Sequence, residues 1–255
     1  PPTEALRVVV PLRRGGRLAP LFCVHAGMGL AWAYSGMVRH LSPDRPVWGL
    51  QLPSLGGGPE YDSIEALAHR YLDEVRAVQP AGPYHLLGWS LGGLIAHAMA
   101  TELQDRGEEV GSLVLLDSCP GGATADPETL DVGDLLRGLG VDVGEDAGSL
   151  TYEDAAQRLR DTFGPAVAVS ADRLRRIAEG YARSTRLSTR FVPRVFRGDA
   201  LLLTAADSPR AGWGDSITGT MQDERVDCAH NDMMQPGPAR AIGVLVETYV
   251  SGRGG

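Results

Sequence analysis

The stretch around Ser90 constrains this chain more than any other. Tyr84-His85-Leu86-Leu87 is a short apolar run of buried-strand type, and Leu91 to Arg106 reads as a helix that Gly107 stops. Gly88-Trp89-Ser90-Leu91-Gly92 must carry the chain from one to the other. A serine in so sharp a strand-to-helix turn takes a strained conformation that projects its hydroxyl. Glycines two residues to either side remove the side chains that would clash there. The helix N-terminus beneath the serine favours negative charge, and the Leu91 amide at that terminus can donate to an oxyanion. Ser90 is therefore the expected nucleophile, and the strand before and helix after it are the context the pattern requires.

The same alternation runs through the first half of the chain. Leu6 to Leu12, Leu21 to Val24, Val47 to Leu52 and Leu113 to Leu116 read as strands. Leu30 to Leu41 reads as a helix, and Pro53 to Glu60 as a loop. A further helix starts at Asp62, which has capping-box spacing to Glu65. Ile64, Leu67, Ala68, Tyr71, Leu72 and Val75 then fall on one face of that helix. Apolar strands alternating with helices specify an α/β fold with a mostly parallel central sheet flanked by helices. After Asp117 the pattern changes. Pro127 to Leu139, Thr151 to Phe163 and Ala171 to Leu187 read as helices with no strand between them. Strands resume at Ala200 to Leu203 and at Glu224 to Asp227, and Pro238 to Val250 reads as a closing helix. One domain over residues 1–255 is expected, its core at 1–117 and 196–255 and a helical insertion at about 118–195.

Composition narrows the function classes. A net charge of −8 argues against nucleic acid as a partner, since phosphate binding needs a basic surface. All 24 basic residues are arginine, which excludes a Schiff-base lysine, a Ser-Lys dyad and a P-loop lysine. Three widely spaced cysteines, Cys23, Cys119 and Cys228, form neither a disulfide framework nor a zinc site, so no metal is expected and a reducing, cytoplasmic compartment fits. No apolar run has the length of a membrane span. The chain opens Pro1-Pro2-Thr3 without an initiator methionine, as expected of a segment of a longer polypeptide.

A serine hydroxyl needs a base, and in this fold the order along the chain is serine, acid, histidine. Of six histidines only His97 and His230 follow Ser90. His97 lies two turns down the nucleophile's own helix, too far to reach the hydroxyl. His230, in Cys228-Ala229-His230-Asn231-Asp232 ahead of the last helix, is the expected base. His25, at the end of an earlier strand, is the runner-up as base, but it precedes a glycine-rich turn and is expected to shape the oxyanion loop, while His40, His69 and His85 read as surface or packing residues. Two strand-end carboxylates compete as the acid, Asp117 and Asp207, and position alone leaves both open. Asp232 reads as solvent-facing or as a helix-entry residue.

These stretches resemble the type I thioesterase domains that end nonribosomal peptide synthetases. The resemblance rests on Pro20-Leu21-Phe22-Cys23-Val24-His25-Ala26-Gly27, on Gly82 through Gly93, on Leu113-Val114-Leu115-Leu116-Asp117, and on Ala229-His230-Asn231-Asp232-Met233-Met234. It is nearly continuous from Leu21 to Asp117, vague across the helical block, and returns near His230. It implies an α/β-hydrolase fold and a Ser90, Asp117, His230 triad, which assigns the acid to Asp117. It also implies oxyanion donors at the amides of Leu91 and Gly27, with Ala26 the near alternative, and a lid made of the helical block. The family often has proline where this chain has Ala26, which bears on the geometry of that loop.

The activity implied is acyl transfer. An acyl or peptidyl chain on the phosphopantetheine thioester of an upstream peptidyl carrier domain passes to Ser90. Water, or a hydroxyl or amine of the chain itself, then releases it by hydrolysis, macrocyclisation or oligomerisation with cyclisation. The domain binds no cofactor of its own in this reading and is monomeric when excised. A polyketide-synthase thioesterase and a free-standing editing thioesterase share the same residues. A generic esterase fits less well, because the glycine-rich run that esterases carry after the loop histidine is absent. An inactive docking module fits least, because serine, histidine and acid are all present.

Overall fold

The computed structural model describes residues 7–121, 130–139, 141–144, 149–164, 169–209 and 212–253. Its sheet contains β1 (Val9–Arg13), β2 (Leu21–Val24), β3 (Val47–Leu50), β4 (Tyr84–Trp89), β5 (Val110–Leu116), β6 (Ala200–Ala205) and β7 (Met221–Val226). The spatial order is β1-β3-β2-β4-β5-β6-β7. β1 pairs antiparallel with β3, and every other neighbouring pair is parallel. This is the mostly parallel α/β sheet expected from the alternation of strands and helices.

The central strands are mostly apolar because both faces of the sheet are covered; the polar His85, Ser112 and Thr204 are buried with them. Along β5, Leu113 and Leu115 pack with α2 (Ile64–Val78) and α3 (Leu91–Asp105). Val114 and Leu116 point the other way, into a core shared with α1 (Ser35–Val38) and α7 (Pro236–Ser251). The six residues expected on one face of α2 are all buried. Between β5 and β6 the described residues hold α4 (Val132–Gly138), α5 (Tyr152–Phe163) and α6 (Ala171–Arg190), and no strand. Asp131, Thr151 and Ser170 cap these helices through their side chains. The start of the helix expected from Pro127 lies outside the described residues. Among the described residues no helix is long and apolar enough to cross a membrane.

Several elements differ from their sequence expectation. The helix expected over Leu30 to Leu41 is a 3-10 turn at Trp32–Tyr34 followed by the single turn of α1. Tertiary bonds interrupt it: the Ala31 N–H donates to Gln51 Oε1 at 3.3 Å, and the Tyr34 hydroxyl reaches Val24 O at 2.6 Å. The cap of α2 is Ser63, whose hydroxyl accepts from the Ala66 amide, one residue later than the Asp62 box. β7 starts three residues earlier than expected, at Met221. Its first five residues are exposed, so no apolar run marked it. In β1, described from residue 7 onward, the register shifts between Pro11 and Arg13, where proline has no N–H to give the ladder.

The elbow depends on two close approaches. A Cβ at Gly88 would meet Gly92 O at 2.0 Å, and one at Gly92 would lie 2.5 Å from both Val24 O and His25 O. α3 can therefore start against the end of β2 only with glycine there. Gly92→Ala is expected to lower unfolding free energy by about 1–3 kcal/mol, the range typical of overpacking. Gly237→Ala, where a Cβ meets nothing within 4 Å, is expected to be neutral or slightly stabilising. Urea unfolding of both variants checks this, and equal stabilities would contradict it.

Candidate active site

Ser90 and Asp117 are the non-glycine residues with positive φ among the described residues, at +57° and +40°. Such a backbone costs about 1–3 kcal/mol per residue and persists only where the surroundings over-determine it. Here the sheet supplies the constraint. Trp89 and Leu116 are register partners in β4 and β5, as are Leu116 and Leu203 in β5 and β6. The ladder then continues one step past the strands: Ser90 N–H donates to Leu116 O at 2.9 Å, and Asp117 N–H to Leu203 O at 2.7 Å. The hydroxyl of Tyr34 accepts from the Trp89 amide at 2.9 Å while donating to Val24 O, so it ties the elbow to the end of β2. Nothing in the sequence marked Tyr34.

His230 opens a 3-10 turn between β7 and α7. Its Nδ1 lies 2.6 Å from Asp117 Oδ2, with the imidazole 37% exposed and the Asp117 side chain 4% exposed. A carboxylate only accepts, so Nδ1 carries the proton of this bond. The indole of Trp89, the residue before Ser90, packs 5.6 Å from the imidazole, centroid to centroid. Burial works to raise the Asp117 pKa, but hydrogen bonds from His230, Ser208 and the Ala205 amide outweigh it and hold the carboxyl below its ordinary value.

Of the two acids that position left open, Asp117 reaches the imidazole. Asp207 is exposed, and its Oδ1 accepts the backbone N–H of His230 at 3.2 Å. It holds the main chain of the same residue whose ring Asp117 holds. Asp232 is exposed, in the 3-10 turn with His230. His97 is buried on α3, stacked on Trp213 with its Nε2 against Ser216 O at 3.1 Å. His85 is buried against Ser112, His69 is exposed beside Glu102, and His40 is half-buried.

The loop after β2 carries the other predicted donors. His25 is fully buried, and burial pushes its pKa down to about 4, so the ring is neutral. Its Nδ1 donates to Ala26 O at 2.6 Å, which leaves Nε2 to accept the Tyr71 hydroxyl, also at 2.6 Å. Ala26 O also accepts the Gly29 amide at 3.0 Å. In a trans peptide the N–H points opposite to the carbonyl. Fixing Ala26 O from two sides therefore fixes the direction of the Gly27 N–H, which donates to no carbonyl among the described residues. Tyr181 of α6 packs against Gly27: a Cβ there would sit 2.8 Å from its Cε2.

Residues 19–245 match the family model described as thioesterase domain. Over 256 residues the chain is 36% identical to the dimodular nonribosomal peptide synthase of Bacillus subtilis (strain 168), covering 95% of this chain and 11% of that protein. The chain thus spans a small fraction of the curated relative it matches. Among solved structures, the Vlm2 thioesterase domain superposes with a TM-score of 0.77 at 23% identity, covering 94% of this chain and 96% of that one. The thioesterase domain of NocB, from a nocardicin cluster, superposes with a TM-score of 0.69 at 25% identity, covering 94% and 98%. With its α/β-hydrolase sheet and its serine elbow, the chain belongs to the thioesterase domain family and is an enzyme of serine-hydrolase type.

Proposed function

We propose that this chain takes an acyl or peptidyl chain from the phosphopantetheine thioester of an upstream peptidyl carrier domain onto Ser90 and then releases it. The observation that carries this is the 2.6 Å bond between His230 Nδ1 and Asp117 Oδ2, made beside the Ser90 elbow in a chain of the thioesterase family. With Nδ1 protonated and bound, Nε2 of His230 is the base. It takes the Ser90 proton as Oγ attacks the thioester carbonyl, and Asp117 offsets the charge on the imidazolium. The carbonyl oxygen becomes an oxyanion, held by the amides of Leu91 and Gly27. Bonds from His25 and Gly29 to Ala26 O hold the Ala26–Gly27 peptide in place, and Ala26 is the near alternative as the second donor. Collapse breaks the C–S bond, His230 gives its proton to the departing pantetheine sulfur, and an ester on Ser90 remains. In the second half His230 deprotonates water, or a hydroxyl or amine of the chain, as it attacks that ester; the C–Oγ bond then breaks and His230 returns the proton to Ser90 Oγ.

Residues 118–195 act in this reading as a lid inserted between core segments 1–117 and 196–255. Supporting this, α6 packs on the loop after β2 through Tyr181 against Gly27, and Gly138 of α4 lies against Met28. A covered site excludes water, which favours attack by a group of the acyl chain itself over hydrolysis. The excised domain works as a monomer in the cytoplasm, where the carrier thioester and the free cysteines are both at home.

The direct test uses a peptidyl-pantetheine thioester. Free thiol and released peptide are expected together, and product mass distinguishes the hydrolysed acid from a cyclic product. Ser90→Ala is expected to release neither, and a folded wild-type enzyme that frees no thiol would overturn the reading. The two acids separate in the same assay. Asp117→Asn is expected to lower kcat by about 10³–10⁴-fold, as loss of the acid does in such triads. Asp207→Asn is expected to stay within about threefold, because an amide oxygen still accepts the His230 N–H. The reverse ranking would exchange their roles.

A further inference from the structure

The turn that follows β6 touches both members of the acid–base pair. Asp117 Oδ1 accepts the Ala205 amide at 3.0 Å, and Oδ2 accepts the Ser208 hydroxyl at 2.6 Å. Oδ2 is also the oxygen that receives His230 Nδ1–H, at 2.6 Å. Ser208 and His230 therefore share one carboxylate oxygen. The turn is itself built to hold this arrangement. The Ser208 amide donates to Ala205 O at 3.1 Å, and the Ala206 amide to Cys228 O at 2.9 Å. Arg225, from β7, donates through Nη1 to Ala205 O at 2.5 Å and to Ser208 O at 2.7 Å. Asp207 of the same turn holds the His230 backbone. Within four consecutive residues, Ala205 and Ser208 thus bind the acid and Asp207 binds the base.

We propose that Ser208 is a positioning residue of the acid–base pair, its hydroxyl orienting Asp117 Oδ2 and moderating the carboxylate's hold on the His230 imidazolium. The inference rests on the reading above, in which His230 is the base and Asp117 its acid. A donor on a carboxylate draws off negative charge and weakens it as an acceptor for any second donor. With the Ser208 hydroxyl present, Asp117 Oδ2 is shared between two donors and stabilises the imidazolium less. Removing the hydroxyl strengthens the ion pair and raises the pH at which His230 gives up its proton. Arg225 serves the same end indirectly by pinning the two carbonyls of the turn. Among the described residues, Arg225 binds the same turn, Asp207 binds the His230 backbone, and Cys228 lies within electrostatic reach of Asp117, Asp207, Asp227 and Asp232. They are unchanged by a substitution at 208, so a comparison at that position isolates the hydroxyl.

The experiment is the pH profile of kcat/KM on a peptidyl-pantetheine thioester, for wild type, Ser208→Ala and Ser208→Thr. The acid limb of Ser208→Ala is expected to move up by about half to one pH unit. Ser208→Thr keeps a hydroxyl and is expected to bring the limb back to the wild-type position. A purely structural contribution would lower the profile without moving its limb. A Ser208→Ala limb that coincides with wild type, or that moves down, overturns the proposal. NMR titration of the His230 imidazole in Ser208→Ala and Ser208→Thr gives the same readout independently of turnover: an upward shift is expected in Ser208→Ala and the wild-type position in Ser208→Thr, and no shift in Ser208→Ala would overturn it. Full activity in His230→Ala would instead remove the underlying triad reading, because the limb would no longer report on that histidine.

Discussion

Parallel register across β4, β5 and β6 is the constraint on which the site depends. Trp89, Leu116 and Leu203 lie side by side at the same end of the sheet. The next residue along β4 is Ser90 and the next along β5 is Asp117. Each extends the ladder by one more bond and then leaves it with positive φ. A one-residue slip in either pairing would exchange the faces of the strand and carry the carboxylate away from His230. The strands resist such a slip because their alternate residues enter two different cores.

Strain at the two strand ends is offset by local supports of ordinary kinds. At the elbow these are the absence of side chains at Gly88 and Gly92 and the double use of the Tyr34 hydroxyl. At the acid they are three donors on one carboxylate, supplied by His230, Ser208 and Ala205. The loop after β2 is fixed by a buried neutral histidine whose two nitrogens are both engaged. Tyr34, Tyr71 and Ser208 each bring a hydroxyl from a distant part of the chain to one of these supports.

Local features were legible in the sequence. The glycine spacing and the strand and helix around Ser90 specify the elbow, the apolar face of α2 follows from its helical period, and β2 and β6 follow from continuous apolar runs. Chain order singled out His230, and its imidazole lies against Trp89 and Asp117. The choice between Asp117 and Asp207 was not legible from position, because both end parallel strands and both contact His230, one at the ring and one at the backbone. Tyr34 and Ser208 were missed because a lone hydroxyl in a turn has no periodic signal; only the folded chain brings it to its partner. The segment at Leu30 to Leu41 was misread because hydrogen bonds to Gln51 and Val24 outcompete local helix formation. β7 was read short because an exposed, polar edge strand resembles a loop.

The proposed chemistry requires that Ser90 itself carry the acyl chain between the two half-reactions. Rapid mixing with a peptidyl-pantetheine thioester, an acid quench within milliseconds, and mass spectrometry of the intact and digested protein test this directly. The account predicts an adduct of one acyl mass on the peptide containing Ser90, formed as the thiol is released and absent in Ser90→Ala. Turnover without any adduct, or an adduct on Cys119 instead, would contradict it.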